Sequence, residues 1–182
     1  MQHMSGDAVD SLWETARDSA FHLEVRDTYA VPSESEPLRR FLAGEPAEDY
    51  GDRPWTRMMR EVTGRGVTVR RVRVVTEPLS GYQRWMLSVT GTNVDAGEDI
   101  RYLPRHLTSE VPSDDWWLFD DATVAYNLID ADGRPAGLAV TRDHDIAAHC
   151  VRVRDRNLSR RMSPVGVMRL WCRCRGCCRW VG

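Results

Sequence analysis

The sequence predicts an α/β fold, with α+β as the alternative: a helical N-terminal segment, then a β-α-β unit, a β meander and a closing helix. Three observations predict it. Residues 7–64 hold several stretches with apolar side chains at helical spacing, divided by loops rich in glycine and proline. Residues 67–104 run from a β-branched stretch through an amphipathic one to a second apolar run, the pattern of two strands joined by a helix. From residue 116 onward three short strand-like runs stand close together, and two of them flank Ala131-Asp132-Gly133, a hairpin signal.

Asp7 to Asp18 suits a first helix, with Val9, Leu12, Trp13 and Ala16 on one face and Asp7 as candidate N-cap. FHLEV, residues 21–25, alternates apolar and polar side chains and suits a short strand. Pro32 and the acids after it open a helix through Leu38, Phe41 and Leu42, which Gly44 stops. GEPAEDYGDRP is a loop. Pro54 starts another helix, carrying Trp55, Met58, Met59 and Val62 and ending at Gly64 and Gly66. VTVRRVRVV, residues 67–75, reads as a strand with its arginines at an edge or on one face. Tyr82 to Val89 reads as a helix, with Asn93-Val94-Asp95-Ala96-Gly97 as its stop, and EDIRYLP, residues 98–104, as the next strand. WWLFDD, residues 116–121, has Trp116, Leu118 and Asp120 on one face and Trp117, Phe119 and Asp121 on the other. Both faces are mostly apolar, so the strand is expected to be central and covered on each side. TVAYNLID and RPAGLAV form the hairpin arms, and Asp143 to Arg156 forms the last helix, with Ile146, Ala147, Cys150 and Val153 on one face.

The 182 residues suit one domain over residues 1–156, followed by an Arg/Cys-rich tail over 157–182. With 42% hydrophobic and 29% charged residues the composition is that of a globular chain. No apolar run approaches the roughly 18 residues of a membrane helix, so no membrane partner is expected. MQHMSGDAVDSLWE is acidic and broken by Gly6, unlike a signal peptide, and Met4 is an alternative start. A cytoplasmic location is expected, where thiols stay reduced. Lysine is absent and all 25 basic residues are arginine, as a GC-rich genome would give. That removes a P-loop lysine, a Schiff-base lysine and the lysine of an HxK phosphodiesterase motif. Residues 151–182 carry nine arginines and one aspartate, whereas residues 1–150 carry 16 arginines against 26 carboxylates. The acidic body repels a phosphate backbone and only the tail attracts one, so direct nucleic-acid binding is not expected.

The tail motif C-x-C-x-x-C-C, from Cys172 to Cys178, supplies four thiols, but a closed zinc site draws paired ligands from two separated knuckles. Arg, Cys, Gly and Trp are also what out-of-frame reading of GC-rich DNA yields, so the tail is expected to be disordered or out of frame. His144 and His149 are five residues apart, about 140° around a helix, and do not chelate; one is expected in solvent and one partly buried. Asp130-Ala131-Asp132-Gly133 lacks the later ligands of a calcium loop and reads as a turn. No metal or cofactor is expected. The carboxylates carry more. In open α/β sheets ligands sit beyond the carboxyl ends of the strands. Glu77, Tyr82, Arg84, Arg105 and Asp120 are therefore expected to converge there as ligand-binding residues, with no catalytic group among them.

FHLEVRDTYAVPSESEPLRRFLAGE, RPW, RRVRVVTEPLSGYQRW, NVDAGEDIRYLPR and DDWWLFDD, in this order, resemble a family of small actinobacterial proteins of unknown function. The resemblance runs from about Trp13 to Arg156. Members look like neighbours of helix-turn-helix regulators, so it implies a regulatory role with such a regulator as partner. More distantly, a strand, a helix ending in glycine, a strand ending R-Y-L-P and then W-L-F-D-D resemble the phospholipase-D-like effector domains of some transcription regulators. Their catalytic motif needs lysine, so hydrolysis is not implied. The function expected is a non-enzymatic regulatory or sensor domain that binds a small ligand or a partner regulator. A hydrolase using Glu77 and Asp120 is the first alternative, and nucleic-acid binding through the tail is the second.

Overall fold

The computed structural model describes residues 1–159 apart from Gly6, Tyr50 and residues 109–110. The strands are β1 (Gln2–Met4), β2 (Ser19–Glu24), β3 (Thr68–Val75), β4 (Asp99–Pro104), β5 (Trp116–Phe119), β6 (Thr123–Ile129) and β7 (Pro135–Thr141). The helices are α1 (Asp7–Thr15), α2 (Ser35–Leu42), α3 (Pro54–Gly64), α4 (Gly81–Asp95) and α5 (His144–Ser159). All seven strands join one mixed sheet in the order β1-β7-β6-β5-β2-β3-β4. β2, β3 and β4 run parallel, and β5 lies antiparallel to β2 and begins the meander through β6 and β7.

Period-two alternation along the strands feeds two apolar layers. One face presents Phe21, Leu23, Val72, Leu103, Trp116 and Leu118 to Ala147, Cys150 and Val153 of α5. The other presents Ala20, Val69, Trp117 and Phe119 to Leu12 and Trp13 of α1 and to Met59 and Val62 of α3. Toward β4 the same face meets Leu87 of α4 through Val75, Ile100 and Tyr102. WWLF is buried along its whole length and sits between β6 and β2, as its apolar character on both faces requires.

Several boundaries differ from the sequence expectation, each for a local reason. α1 ends at Thr15 rather than Asp18, because the amides of Arg17, Asp18 and Ser19 turn to the Asp120 carboxylate. α4 starts on a reciprocal cap in which Ser80 Oγ accepts from the Gln83 amide and Gln83 Oε1 accepts from the Ser80 amide. It runs past Val89 to Asp95 and stops at Gly97, whose φ is +100° and where a Cβ would lie 2.6 Å from Thr63 Oγ1. α5 is capped by Asp143, which accepts from the Asp145 and Ile146 amides, and continues past Arg156 to Ser159. β3 is not an edge strand, and its Arg71 and Arg73 are buried. β1, which pairs with β7, had no sequence signal because three residues show no alternation.

Asp130 holds the hairpin turn by accepting from the Asp132 and Arg134 amides. Both His144 and His149 are exposed, so the partly buried histidine expected on α5 is absent, while Cys150 is buried. No helix among the described residues is long and apolar enough to cross a membrane. The four tail cysteines lie outside the described residues.

Candidate functional site

The face covered by α1, α3 and α4 is not apolar throughout. Strand register sets two cross-strand rows on it: Trp117 opposite His22 opposite Arg71, and Glu24 opposite Arg73 opposite Tyr102. His22 is 5%, Arg71 7% and Arg73 6% exposed, so the charges must be satisfied inside the protein. Arg71 donates from Nη1 to Glu24 and from Nε to Glu98 at 3.1 Å, with its guanidinium 5.3 Å from the ring centroids of both Trp55 and Trp117. Arg73 donates from Nε to the other Glu24 oxygen, and from Nη1 to Thr90 Oγ1 at 2.9 Å and Tyr102 Oη at 3.0 Å. Glu98, just before β4, also accepts from Trp55 Nε1 at 2.6 Å and Asn93 Nδ2 at 2.9 Å.

This arrangement fixes the protonation states. Burial works to raise the Glu24 carboxyl, but Arg73 and Arg71 overcome it and hold Glu24 far below the usual carboxylate range. Burial also lowers His22 well below its ordinary value, and Glu24 only partly opposes this. The imidazole is therefore neutral. It stacks on Trp117 with centroids 4.0 Å apart, and its Nε2 accepts from Asn127 Nδ2 at 3.2 Å. Nδ1 lies 3.4 Å from Glu24 Oε1, too poorly aligned for a hydrogen bond, and has no other partner among the described residues.

Above these rows opens a cavity of about 360 Å³. Its floor is His22, Glu24, Arg71, Arg73, Tyr102 and Asn127. Its walls are Val9 of α1, Met86 of α4, Val31 after β2, and Leu128, Ile129 and Leu138 of the β6–β7 hairpin. Two tyrosines stand at its rim, 5.7 Å apart between ring centroids. Tyr82 donates to Glu34 at 2.8 Å and Tyr29 donates to Asp115. Burial, followed by the neighbouring carboxylates, pushes both phenols above their usual range, so both remain donors. Burial raises Glu34 and Asp115 as well, against the tyrosine bonds that each accepts.

A domain of unknown function, DUF6879, matches residues 7–162 of this chain. The chain belongs to that family. No curated protein matches it. Among solved structures the domain is similar to Nuc, a phospholipase D family member from Salmonella typhimurium, with a TM-score of 0.51 and 12% identity over 86% of this chain and 90% of Nuc. It is also similar to TrmBL2, an archaeal chromatin protein with a novel mode of DNA binding, with a TM-score of 0.46 and 13% identity over 85% of this chain. The chain spans about half of TrmBL2, 48%. At such identities the likeness to Nuc is one of fold alone.

The DUF6879 domain does not bring the five sequence-predicted site residues together. Tyr82 lines the cavity. Glu77 and Arg105 lie outside it, at the C-terminal ends of β3 and β4. There Glu77 pairs with His106 at 3.2 Å, and Arg105 donates to Thr76 Oγ1 at 3.0 Å and to the Val25 carbonyl. Arg84 reaches back over Gly81 beside Leu42 of α2, and its Nε is buried with no hydrogen-bond partner among the described residues. Asp120 lies at the opposite end of the sheet from Glu77. Because β5 is antiparallel to β2, its last residue meets the start of β2, where Asp120 accepts from the Arg17, Asp18 and Ser19 amides at 2.8–2.9 Å. The expected convergence of Glu77, Arg84 and Asp120 is therefore corrected: Asp120 organises a turn. The residues that build the site, His22, Glu24, Arg71 and Arg73, carried a usable signal in their i, i+2 spacing. Two charges at that spacing in an internal strand share one face and demand buried partners.

Proposed function

We propose that the domain is a non-enzymatic ligand-binding module of the regulatory or sensor kind, with the cavity above β2, β3 and β4 as its binding site. The observation that carries this reading is a cavity of about 360 Å³, within the size range of small-molecule sites, that pairs apolar walls with a polar floor. Binding rather than turnover is supported by how the floor groups are engaged. Both Glu24 oxygens accept from guanidiniums, and the neutral His22 is held by Asn127 and Trp117. The hydrolase alternative required Glu77 and Asp120 on one substrate, and the antiparallel direction of β5 separates them. A helix-turn-helix regulator, the partner that the sequence resemblance implies, is the proposed recipient of the signal.

Thermal-shift screening of a metabolite library against the full chain tests the reading. A ligand that raises the Tm of the wild type should lose its effect in Met86→Trp, which adds bulk at a lining residue and leaves every floor residue unchanged. Shifts that persist in Met86→Trp would place the binding elsewhere.

A further inference from the structure

Resting on the reading of the cavity as a binding site, we infer that its ligand is an uncharged small molecule with an apolar body and a carboxamide-like donor–acceptor edge, and that the cavity rejects anions despite its two buried arginines. The argument begins with charge. Arg71 and Arg73 are matched by Glu24 and Glu98, two of each sign, all ion-paired within the cluster. The mouth adds one group of each sign, Arg26 and Glu34. An incoming phosphate or carboxylate would find no uncompensated charge on the floor. To take the guanidinium N–H groups that now face Glu24, it would have to displace a carboxylate that both arginines hold, leaving that carboxylate buried without a partner.

Beside these paired charges the floor offers neutral groups. The Asn127 amide gives one N–H to His22 Nε2 and keeps its carbonyl oxygen and second N–H, for which no partner exists among the described residues. That pair of groups matches a carboxamide or lactam edge, which presents one acceptor and one donor side by side. The apolar lining is Val9, Val31, Met86, Leu128 and Leu138, which suits an apolar or aromatic body.

Benzamide, benzoate and benzamidinium have one shape and three charges. Their binding to the full chain, followed by protein-observed NMR, separates the possibilities. Benzamide should bind in the cavity about tenfold more tightly than either charged analogue, and Asn127→Ala should remove most of that preference. Glu24→Gln should turn the order toward benzoate, because Arg73 then lacks its carboxylate. Met86→Trp, which leaves the ion pairs intact, should abolish benzamide binding and so provides a control should Glu24→Gln not fold. Benzoate binding in the wild-type cavity as tightly as benzamide would overturn the inference while leaving the cavity a binding site. Failure of all three to perturb cavity residues at millimolar concentration would overturn both.

Discussion

Replacing Glu24 by glutamine removes one negative charge from the centre of a covered sheet face and leaves the backbone alone. In the wild type each Glu24 oxygen takes a guanidinium, Arg71 on one and Arg73 on the other. Arg71 retains the Glu98 carboxylate in the variant, but Arg73 is left with no carboxylate, only neutral acceptors such as the Thr90 and Tyr102 hydroxyls. One glutamine NH₂ must also face a guanidinium, donor against donor. Breaking a buried pair from one side costs about 3–5 kcal/mol. For a chain of this size that lowers the Tm by about 6–20 °C. Urea denaturation at neutral pH reads the free energy directly. The pH dependence carries a second signature. Glu24 titrates lower in the folded state than in the unfolded chain, so its stabilisation is complete above the ordinary glutamate value of about 4.3. It is lost as pH falls from there toward the folded value, and Glu24→Gln should lack this acid-side loss. Glu24→Leu combined with Arg73→Met should recover much of the stability, because an apolar pair leaves no orphaned charge. A loss below about 1 kcal/mol in Glu24→Gln would mean that the cluster behaves as a solvated surface pair, and the reasoning would fail.

Phe119→Ala should cost about 3–5 kcal/mol in chemical denaturation, because Phe119 is buried edge-on to Trp13 with ring centroids 5.0 Å apart in the core beneath α1. Asp120→Ala should cost about 1–3 kcal/mol, since it removes the acceptor of three amides at a residue with φ of +49°. Asp120→Asn, which tolerates that backbone and keeps one acceptor, should cost less. Burial would raise the Asp120 carboxyl, but the three amides overcome it and hold the group low. Its contribution is therefore present above the ordinary aspartate range and fades as pH falls through the folded value. Tyr82→Phe should cost only about 0.5–1.5 kcal/mol, the value of its bond to Glu34, and should leave the far-ultraviolet spectrum unchanged.

What could be read from the sequence follows the range of the signal. WWLF was legible as a central strand because an apolar run on both faces admits few other homes. The hairpin around Ala131-Asp132-Gly133 was legible because turn chemistry is local. The stop of α4 was legible in Asn93-Val94-Asp95-Ala96-Gly97, but its last helical residue was not, because the helix runs on through Asp95 and only Gly97 has the positive φ and the close approach to Thr63 that end it. Strand direction is less legible. Convergence of Asp120 with Glu77 requires both to end parallel strands, whereas β5 runs against β2, a fact of long-range pairing that no local pattern carries. Of the two placements open for the β3 arginines, an edge or one face, Arg71 and Arg73 take the second, sharing one face of an internal strand. Only the placement of β3 between β2 and β4 turns the same residues into a buried cluster that needs Glu24 and Glu98.

The claim at the centre of this account is that the cavity over His22, Glu24, Arg71 and Arg73 receives a small molecule. Methyl-labelled NMR spectra of the full chain during a screen of uncharged fragments test it most directly. Val9, Val31, Met86, Leu128 and Leu138 line the cavity, while Val153 and Leu158 pack on the far face of the sheet and serve as internal controls. The account predicts saturable shifts in the first group, none in the second, and their loss in Met86→Trp. Saturable shifts confined to the α5 face, or none anywhere in a broad screen, would contradict it.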